Sequence, residues 1–261
     1  MKYCKTITIL LSLSISHAFA GAMGAVEPTY DFNGLYVGLG AGYTAIAINN
    51  SFVTTRSDGV GGNAGMNRYT HTDAVFSGQL GYGKMFQERV YLGGKASIQY
   101  TPLNALDETG FSTAAGSALI IGSNSIRTTV KPIYNIDAVL GYEIYPHFLP
   151  FVEAGVSFAD VNHNYEFKRT RTNIATLTNV GYQSLLNLDG YSTGYNVGLG
   201  LNYQPFANWI LTGEAVYTDL GKNSGLVTVA IPSSTATETH SRTISNSAIS
   251  MMFSVSYLFN C

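Results

Sequence analysis

The chain ends in a stretch where apolar and polar positions alternate with a period of two. The apolar positions of residues 248–259 are Ile249, Met251, Phe253, Val255, Tyr257 and Phe259. The positions between them are mostly serine. This spacing predicts a β-strand with one apolar face, tipped by aromatic rings, and one small, polar face. A terminal strand of a soluble sheet fits it, and so does a strand of a closed transmembrane barrel whose apolar face meets lipid.

Seven further runs with this alternation come earlier, at residues 35–47, 74–86, 90–100, 133–142, 150–160, 191–203 and 209–218. Each is close to the roughly 9–11 residues that a tilted strand needs to cross a bilayer. We therefore predict an all-β fold, an eight-stranded antiparallel up-and-down transmembrane β-barrel. Pro132 lacks a backbone N–H, so we expect it at the rim of the fourth strand or at a bulge.

The connections between the runs alternate strictly between short and long. The short ones lie around residues 87–88, 143–149 and 204–208, and the long ones at about 48–73, 101–132, 161–190 and 219–247. This asymmetry is typical of outer-membrane barrels, which have short periplasmic turns and long extracellular loops. An even number of strands then places both termini on the periplasmic side.

Aromatic residues cluster at both ends of the apolar faces. Two girdles at the headgroup levels are expected, where amphipathic rings are most stable. Their main members are Tyr43, Tyr82, Tyr142, Tyr195, Tyr203, Trp209, Tyr217, Tyr257 and Phe259. A soluble lipocalin-like barrel or a sandwich would place its apolar residues inward and its charges outward. Here the strand charges share the face opposite the apolar one, which favours the membrane barrel.

The first residues are typical of a secretory signal. Lys2 and Lys5 precede an apolar run, and 18–20 read Ala-Phe-Ala, a small-x-small cleavage site. We predict removal of residues 1–20, leaving 21–261 as one barrel domain with four long extracellular loops. The mature chain keeps Cys261 alone and has four more acidic than basic residues, which argues against a nucleic-acid partner. Only 11% of residues are charged, against roughly 25% in soluble domains.

The opening segment Phe-Asn-Gly-Leu-Tyr-Val-Gly-Leu-Gly-Ala-Gly-Tyr, residues 32–43, resembles the first strand of the small outer-membrane β-barrel family. That family includes the opacity proteins and the membrane domain of outer membrane protein A. The resemblance implies location in the cell outer membrane of a Gram-negative bacterium and insertion by the barrel-assembly machinery. Members often end in a terminal Phe, whereas here Phe259 is followed by Asn260 and Cys261.

Several charged residues fall on the inward face of the predicted barrel. They are Lys95, Lys131, Asp137, Glu153 and Glu214, with Lys131 higher up than the others. An eight-stranded barrel is just wide enough to be filled by side chains, and unpaired buried charges are costly. We expect an internal ion-pair plug, with at least one carboxyl protonated at neutral pH. The alternative, suggested by the resemblance to outer membrane protein A, is a gate whose re-pairing opens a narrow ion path.

The third long loop carries the basic group Lys168, Arg169 and Arg171. A solvated strand extension would explain it, and so would contact with lipopolysaccharide phosphates or with acidic host polymers. We expect outer-membrane lipid and lipopolysaccharide as partners, host-cell surface molecules as further ones, and a monomer.

Enzyme and cofactor signals are weak. The inward glycines follow Gly-x-Gly-x-Gly without a following helix pattern, so they do not match the dinucleotide fingerprint. No Cys/His cluster predicts a metal, and we expect no cofactor. His163 near Asp160 is the best candidate for a lipid hydrolase, but no serine accompanies it. We predict a non-enzymatic anchor that presents surface loops for adhesion, with a narrow porin-like channel as the alternative.

Overall fold

A computed structural model describes residues 31–259 except 60–62, 88, 103, 116–117, 174–177 and 232–234. This part of the chain contains nine β-strands: β1 (Gly34–Arg56), β2 (Asn63–Phe86), β3 (Val90–Tyr100), β4 (Asn104–Ala115), β5 (Ala118–Tyr142), β6 (Phe148–Asn173), β7 (Thr178–Phe206), β8 (Trp209–Ala230) and β9 (Thr237–Phe259). Within it, no helix has the length and apolar character needed to span a membrane. The predicted signal peptide and Cys261 lie outside the described residues.

The strands close into a ring of eight positions. Every neighbouring pair is antiparallel, β1 pairs with both β2 and β9, and β3 pairs with both β2 and β5. The ninth strand adds no position, because β4 continues β3 beyond a break at Thr101 and Pro102 and pairs with β5 alone. The predicted eight-stranded antiparallel up-and-down barrel is therefore confirmed.

The lower part of the barrel has an apolar outer face. On β1, Leu39 is 75% exposed, and on β9 Phe253 is 77% exposed, while Ser254 and Ser256 are buried inside. Exposed apolar side chains alternate with inward side chains, many of them polar, along all eight strand positions at this level. Such a band suits a hydrocarbon surround, because in lipid a closed sheet satisfies every backbone polar group.

Above this band the pattern is reversed. On β1, Ile46 and Ile48 are fully buried inside, whereas Ser51 and Thr55 are exposed. The inward side chains pack into a continuous apolar core formed by Ile46, Ile48, Ala105, Ile126, Val130, Ile133, Ala159, Val161, Tyr165, Phe167, Leu186, Leu188, Leu220, Ile244 and Ala248. The four connections predicted as long loops are therefore largely strand extensions with a core of their own.

The extension consists of two half-sheets. The first half-sheet contains the outer parts of β8, β9, β1 and β2, and the second contains β4 and the outer parts of β5, β6 and β7. Backbone pairing between β2 and β3 ends at Phe76 and Tyr100, and pairing between β7 and β8 ends at Tyr195 and Asp219. In the described part of the chain, no ladder joins the two half-sheets beyond these points.

Local irregularities create both separations. At one, Pro102 has no backbone N–H and cannot continue the ladder to β2. At the other, β8 carries a bulge between Asp219 and Lys222, with Gly221 at a φ of 77°. The Asp219 carboxylate accepts a hydrogen bond from the Gly221 N–H at 2.7 Å, which stabilises this turn. The split of the extension is thus encoded locally.

Two matched substitutions on β1 test where the hydrocarbon lies. We expect Leu39→Lys to destabilise the protein in lipid vesicles by roughly 2–4 kcal/mol, because a lysine near the bilayer midplane loses its hydration. Val53→Lys, also outward but in the extension, should change stability little. Urea unfolding followed by Trp209 fluorescence measures both. Equal effects of the two variants would contradict the assigned membrane level.

Candidate functional site

The centre of the lumen contains a buried ion cluster. Lys95 Nζ lies 2.6 Å from Glu153 Oε2 and 2.9 Å from Glu214 Oε2. These residues belong to β3, β6 and β8, so the cluster crosses the lumen between strands that are not neighbours. All three side chains are at most 5% exposed. The ammonium of Lys95 therefore links three separate strands of the barrel across the lumen.

Asp137 faces the same lumen. It lies on β5, in register with Lys95 on β3, and is buried. No described residue is a hydrogen-bond partner of its Oδ1 atom. Gly155, its register partner on β6, leaves room for it, because a Cβ there would come within 2.3 Å of Oδ1. The cluster thus has three carboxyl groups around one ammonium.

The lumen is filled below and above these charges. Below them, an apolar layer contains Phe32, Tyr91, Val139, Leu149, Phe151, Ile210 and Leu258. Above them lies the core of the extension. The cavity beside the cluster has a volume of about 20 Å³, which is room for about one water molecule. Inward glycines make space for this filling: a Cβ at Gly200 would meet the Phe151 ring at 2.4 Å.

The predicted place of Lys131 in the lumen is wrong. Its side chain is 52% exposed on the outer surface, and its Nζ lies 2.6 Å from Asp160 Oδ2. The cause is a bulge on β5 between Val130 and Ile133, which contains Pro132 and shifts the alternation. Val130 and Ile133 both point inward as a result, and Lys131 points outward.

The predicted surface cluster of Lys168, Arg169 and Arg171 does not form one patch. Lys168 is exposed and pairs with Glu166 at 2.9 Å. Arg169 points to the opposite face of β6, where it donates to both Glu238 oxygens at 3.3 and 3.1 Å. Neighbouring residues of a strand face opposite sides, which the prediction neglected. The side chain of Arg171 lies outside the described residues.

The aromatic residues predicted for the two girdles all lie on the outer face. Near the turns, Trp209 packs edge-on against Tyr257 at a centroid distance of 5.4 Å, and Tyr257 against Phe259 at 4.9 Å. Tyr203 stacks on Phe148 at 4.7 Å. The other members, all exposed, are Tyr43, Tyr82, Tyr142, Tyr195 and Tyr217. The rings bound the apolar band at both ends.

The sequence did not reveal the side-chain contacts between the two half-sheets. The Arg242 guanidinium of β9 lies 3.4 Å from the centroid of the Tyr165 ring of β6, a cation–π geometry. Burial raises the pKa of Tyr165 to about 12, so the neutral phenol donates to Asn124 Oδ1 at 2.6 Å. The Arg169–Glu238 bridge crosses between the same two strands. A signal for this core was available in the alternation that continues through Val161, Tyr165 and Phe167.

His163 is a structural residue of the same core. Its Nδ1 lies 2.9 Å from Thr128 Oγ1, and its Nε2 lies 3.1 Å from Asn246 Nδ2 on the opposite half-sheet. Asp160 points outward to Lys131, so the hydrolase pair considered from the sequence is not assembled. Among the residues that the structure describes, no three His, Cys, Asp or Glu side chains are grouped to hold a metal ion.

No family model matches the chain. A sequence relative is the 31 kDa outer-membrane immunogenic protein of Brucella melitensis, which is 24% identical over 196 residues. The match covers 75% of this chain and 74% of that protein.

Solved structures of outer-membrane proteins are also similar. The outer membrane protein OprG from Pseudomonas aeruginosa matches with a TM-score of 0.50 and 10% identity, over 88% of this chain and 97% of that one. Ail, the attachment invasion locus protein of Yersinia pestis, was solved in complex with the heparin analogue sucrose octasulfate. It matches with a TM-score of 0.32 and 15% identity, over 84% of this chain and 99% of that one. At such identities the likeness to OprG concerns the fold alone.

Removing the buried ammonium should be costly. We expect Lys95→Met to lower the free energy of unfolding by about 3–5 kcal/mol, because Glu153 and Glu214 lose their shared partner. The triple variant K95M/E153Q/E214Q should recover most of this loss, since it leaves no buried charge of the triad behind. Urea unfolding in detergent measures both. The control Lys131→Met breaks an exposed pair and should have a smaller effect; a loss equal to that of Lys95→Met would contradict the assignment.

Burial of His163 should make stability pH-dependent. Burial lowers the pKa of His163 to about 4 from its ordinary value near 6.5. Between these values the unfolded chain binds a proton that the folded chain excludes. Stability is therefore full above about pH 6.5 and falls toward pH 4, by at most about 1.4 kcal/mol per pH unit. His163→Gln should have a shallower slope in unfolding experiments, and an unchanged slope would refute this origin.

Proposed function

Since this chain is a small eight-stranded outer-membrane β-barrel protein of Gram-negative bacteria, we propose that it is a surface-display protein whose barrel anchors an adhesive extension. Its role is non-enzymatic. The extension contacts lipopolysaccharide near the membrane and molecules of other cells farther out. The observation that carries this proposal is the rigid, two-sheet extension on a barrel whose lumen is filled.

The dimensions of the strands support display. The longest strand, β7, has 29 residues, whereas a tilted strand needs only about 9–11 to cross the bilayer. More than half of β7 therefore stands outside the membrane. The outer face of the extension is rich in small polar residues, such as Ser241, Ser245 and Thr243 on β9. Such a surface remains hydrated, and its own apolar core holds it rigid without a partner.

Contact with lipopolysaccharide is supported by two outward cations on β5. Both Arg127 and Lys131 lie on the exposed face, farther from the membrane than Tyr134, an exposed tyrosine at the outer end of the apolar band. Asp160 lies beside Lys131 and Asp189 acts on it at longer range, so both acids offset the charge of Lys131. Arg127 is the cation of this pair that has no acidic partner among the described residues. Guanidinium and ammonium groups at headgroup height bind phosphate groups well.

A narrow channel is the competing function. It is favoured by the presence of two acceptors, Glu153 and Glu214, for one Lys95, because an ammonium with two partners can exchange between them. The filled lumen favours display: a conducting path would require rearrangement of the ion cluster and of the apolar layers on both sides of it.

A double comparison separates the two functions. One variant shortens the first half-sheet by removing register-matched residues from the tips of the β1–β2 and β8–β9 hairpins; the other is K95M/E153Q/E214Q. Bacteria expressing each variant are scored for binding to host cells, and the purified proteins for conductance in planar bilayers. Display predicts that only the shortened variant loses cell binding, by about tenfold or more. Conductance of the wild type that changes in the lumen variant would establish the channel instead.

The lipopolysaccharide contact has its own readout in the same strains. R127E/K131E should retain less lipopolysaccharide on purification than the wild type does. The matched control is R68E/K222E, which reverses two exposed cations on the first half-sheet. If all three proteins retain the same amount of lipopolysaccharide, the lipopolysaccharide contact is refuted. The proposed cell binding is then judged by the hairpin-shortening experiment alone.

A further inference from the structure

We propose that the seam between β2 and β4 is a slot that binds one extended peptide segment of another protein by strand addition. The slot is bordered by residues 63–75 of β2 and by β4. This proposal rests on the proposed function, since a peptide reaches the slot only if the extension stands outside the membrane. It names the class of partner: a polypeptide in β conformation.

Each side of the slot is a strand with one unpaired edge. Above the Phe76–Tyr100 pair, β2 forms a ladder with β1 only, and β4 forms a ladder with β5 only. Among the described residues, neither strand has a backbone partner on the side that faces the seam. Such edges present rows of N–H and C=O groups, which are templates for an added strand.

The width of the seam fits one strand. Hydrogen-bonded strands lie about 5 Å apart, so a vacant strand position separates its neighbours by about 10 Å. The described Cα atoms of the two bordering strands are more than 8 Å apart almost throughout. Side-chain contacts across the seam set an upper bound on the distance between the two strands. His71 Nε2 lies 2.9 Å from Asp107 Oδ2, and Tyr69 Oη lies 3.5 Å from Thr109 Oγ1.

These bridging side chains lie on the inner side of the seam. Residues 69 and 71 of β2 and 107 and 109 of β4 belong to the inward-facing sets of their strands. They close the inner side of the slot with polar groups and leave the backbone edges accessible from outside. A bound peptide therefore needs small or polar residues at its inward positions.

The outer borders of the slot carry opposite charges. The His71–Asp107 and Tyr69–Thr109 contacts define how β2 and β4 are aligned across the seam. Thr70 therefore stands opposite Glu108, and Arg68 opposite Gly110. Arg68 and Glu108 are both exposed. An outward residue of a bound strand next to Glu108 is favoured when basic, and the outward residue two positions along, next to Arg68, is favoured when acidic. The slot thus selects a peptide with opposite charges at positions i and i+2.

Synthetic peptides test this selection. The purified full-length protein in detergent micelles is titrated with fluorescent eleven-residue peptides of alternating Ser and Thr that carry Lys-x-Glu, Lys-x-Lys or Glu-x-Glu at outward positions. We expect Lys-x-Glu to bind severalfold, up to about tenfold, more tightly than the like-charged peptides. The order of the two charges is not critical, because a strand can enter the slot in either direction.

Variants of the slot should change the ranking in a defined way. Arg68→Glu makes both borders acidic and should make Lys-x-Lys the tightest ligand, whereas Glu108→Lys should make Glu-x-Glu the tightest. Lys168→Glu introduces the same charge change as Arg68→Glu on a central strand and should leave the wild-type ranking intact. Protease resistance checks that each variant is folded.

Backbone pairing has a separate readout. The Lys-x-Glu peptide should slow hydrogen exchange of amides in both bordering strands, and an N-methylated version should bind at least tenfold more weakly. Equal binding of the N-methylated peptide, equal ranking of all peptides, or self-association of the protein through these edges would overturn the slot. A further combination of results is decisive: shortening the hairpins abolishes cell binding, and the peptides all bind equally. This combination would overturn the slot and leave the display function in place.

Discussion

The requirement that every backbone polar group be paired inside hydrocarbon governs the whole structure. A strand that crosses the membrane must form hydrogen bonds on both edges, because lipid offers no partner. The chain meets this requirement by closing β1 onto β9 and β3 onto β5, so that the lower ring has no free edge. Beyond the outer girdle, water satisfies the same groups. There the ring divides, at Tyr100 on one side and at Asp219 on the other.

The alternation of apolar and polar residues predicted the membrane part well and the extension poorly. The third run was placed at residues 90–100, and the structure has β3 at Val90–Tyr100. On β6, the apolar side chains Val156 and Phe158 point outward, but Val161 and Tyr165 point inward. The strand continues without a break, yet its apolar residues change from the outward to the inward face where solvent replaces lipid. A prediction that requires one apolar face per strand therefore ends the strand at that change.

The candidate sites show a similar division. Parity along a strand was sufficient to place Lys95, Glu153 and Glu214 in the lumen, because residues two apart share a face. The same alternation misplaced Lys131, because the bulge at Pro132 inserts an extra residue and interrupts the two-residue repeat. The contact of Arg169 with Glu238 joins β6 to β9 across the two half-sheets, and such a partner depends on how the sheets are apposed. The spacing of residues along one strand does not predict which strands of the two half-sheets face each other.

The pairing of Leu35 with Phe259 has a consequence for biogenesis. The two residues that seal the ring stand at opposite ends of the barrel sequence, so no partial chain can complete the cylinder. Until the last strand has been exported, the first strand keeps an unsatisfied edge and must remain soluble or be held by another protein. The order of synthesis and the order of closure are therefore coupled: the last strand of the barrel to be made is also the one that makes the finished cylinder compatible with the lipid bilayer.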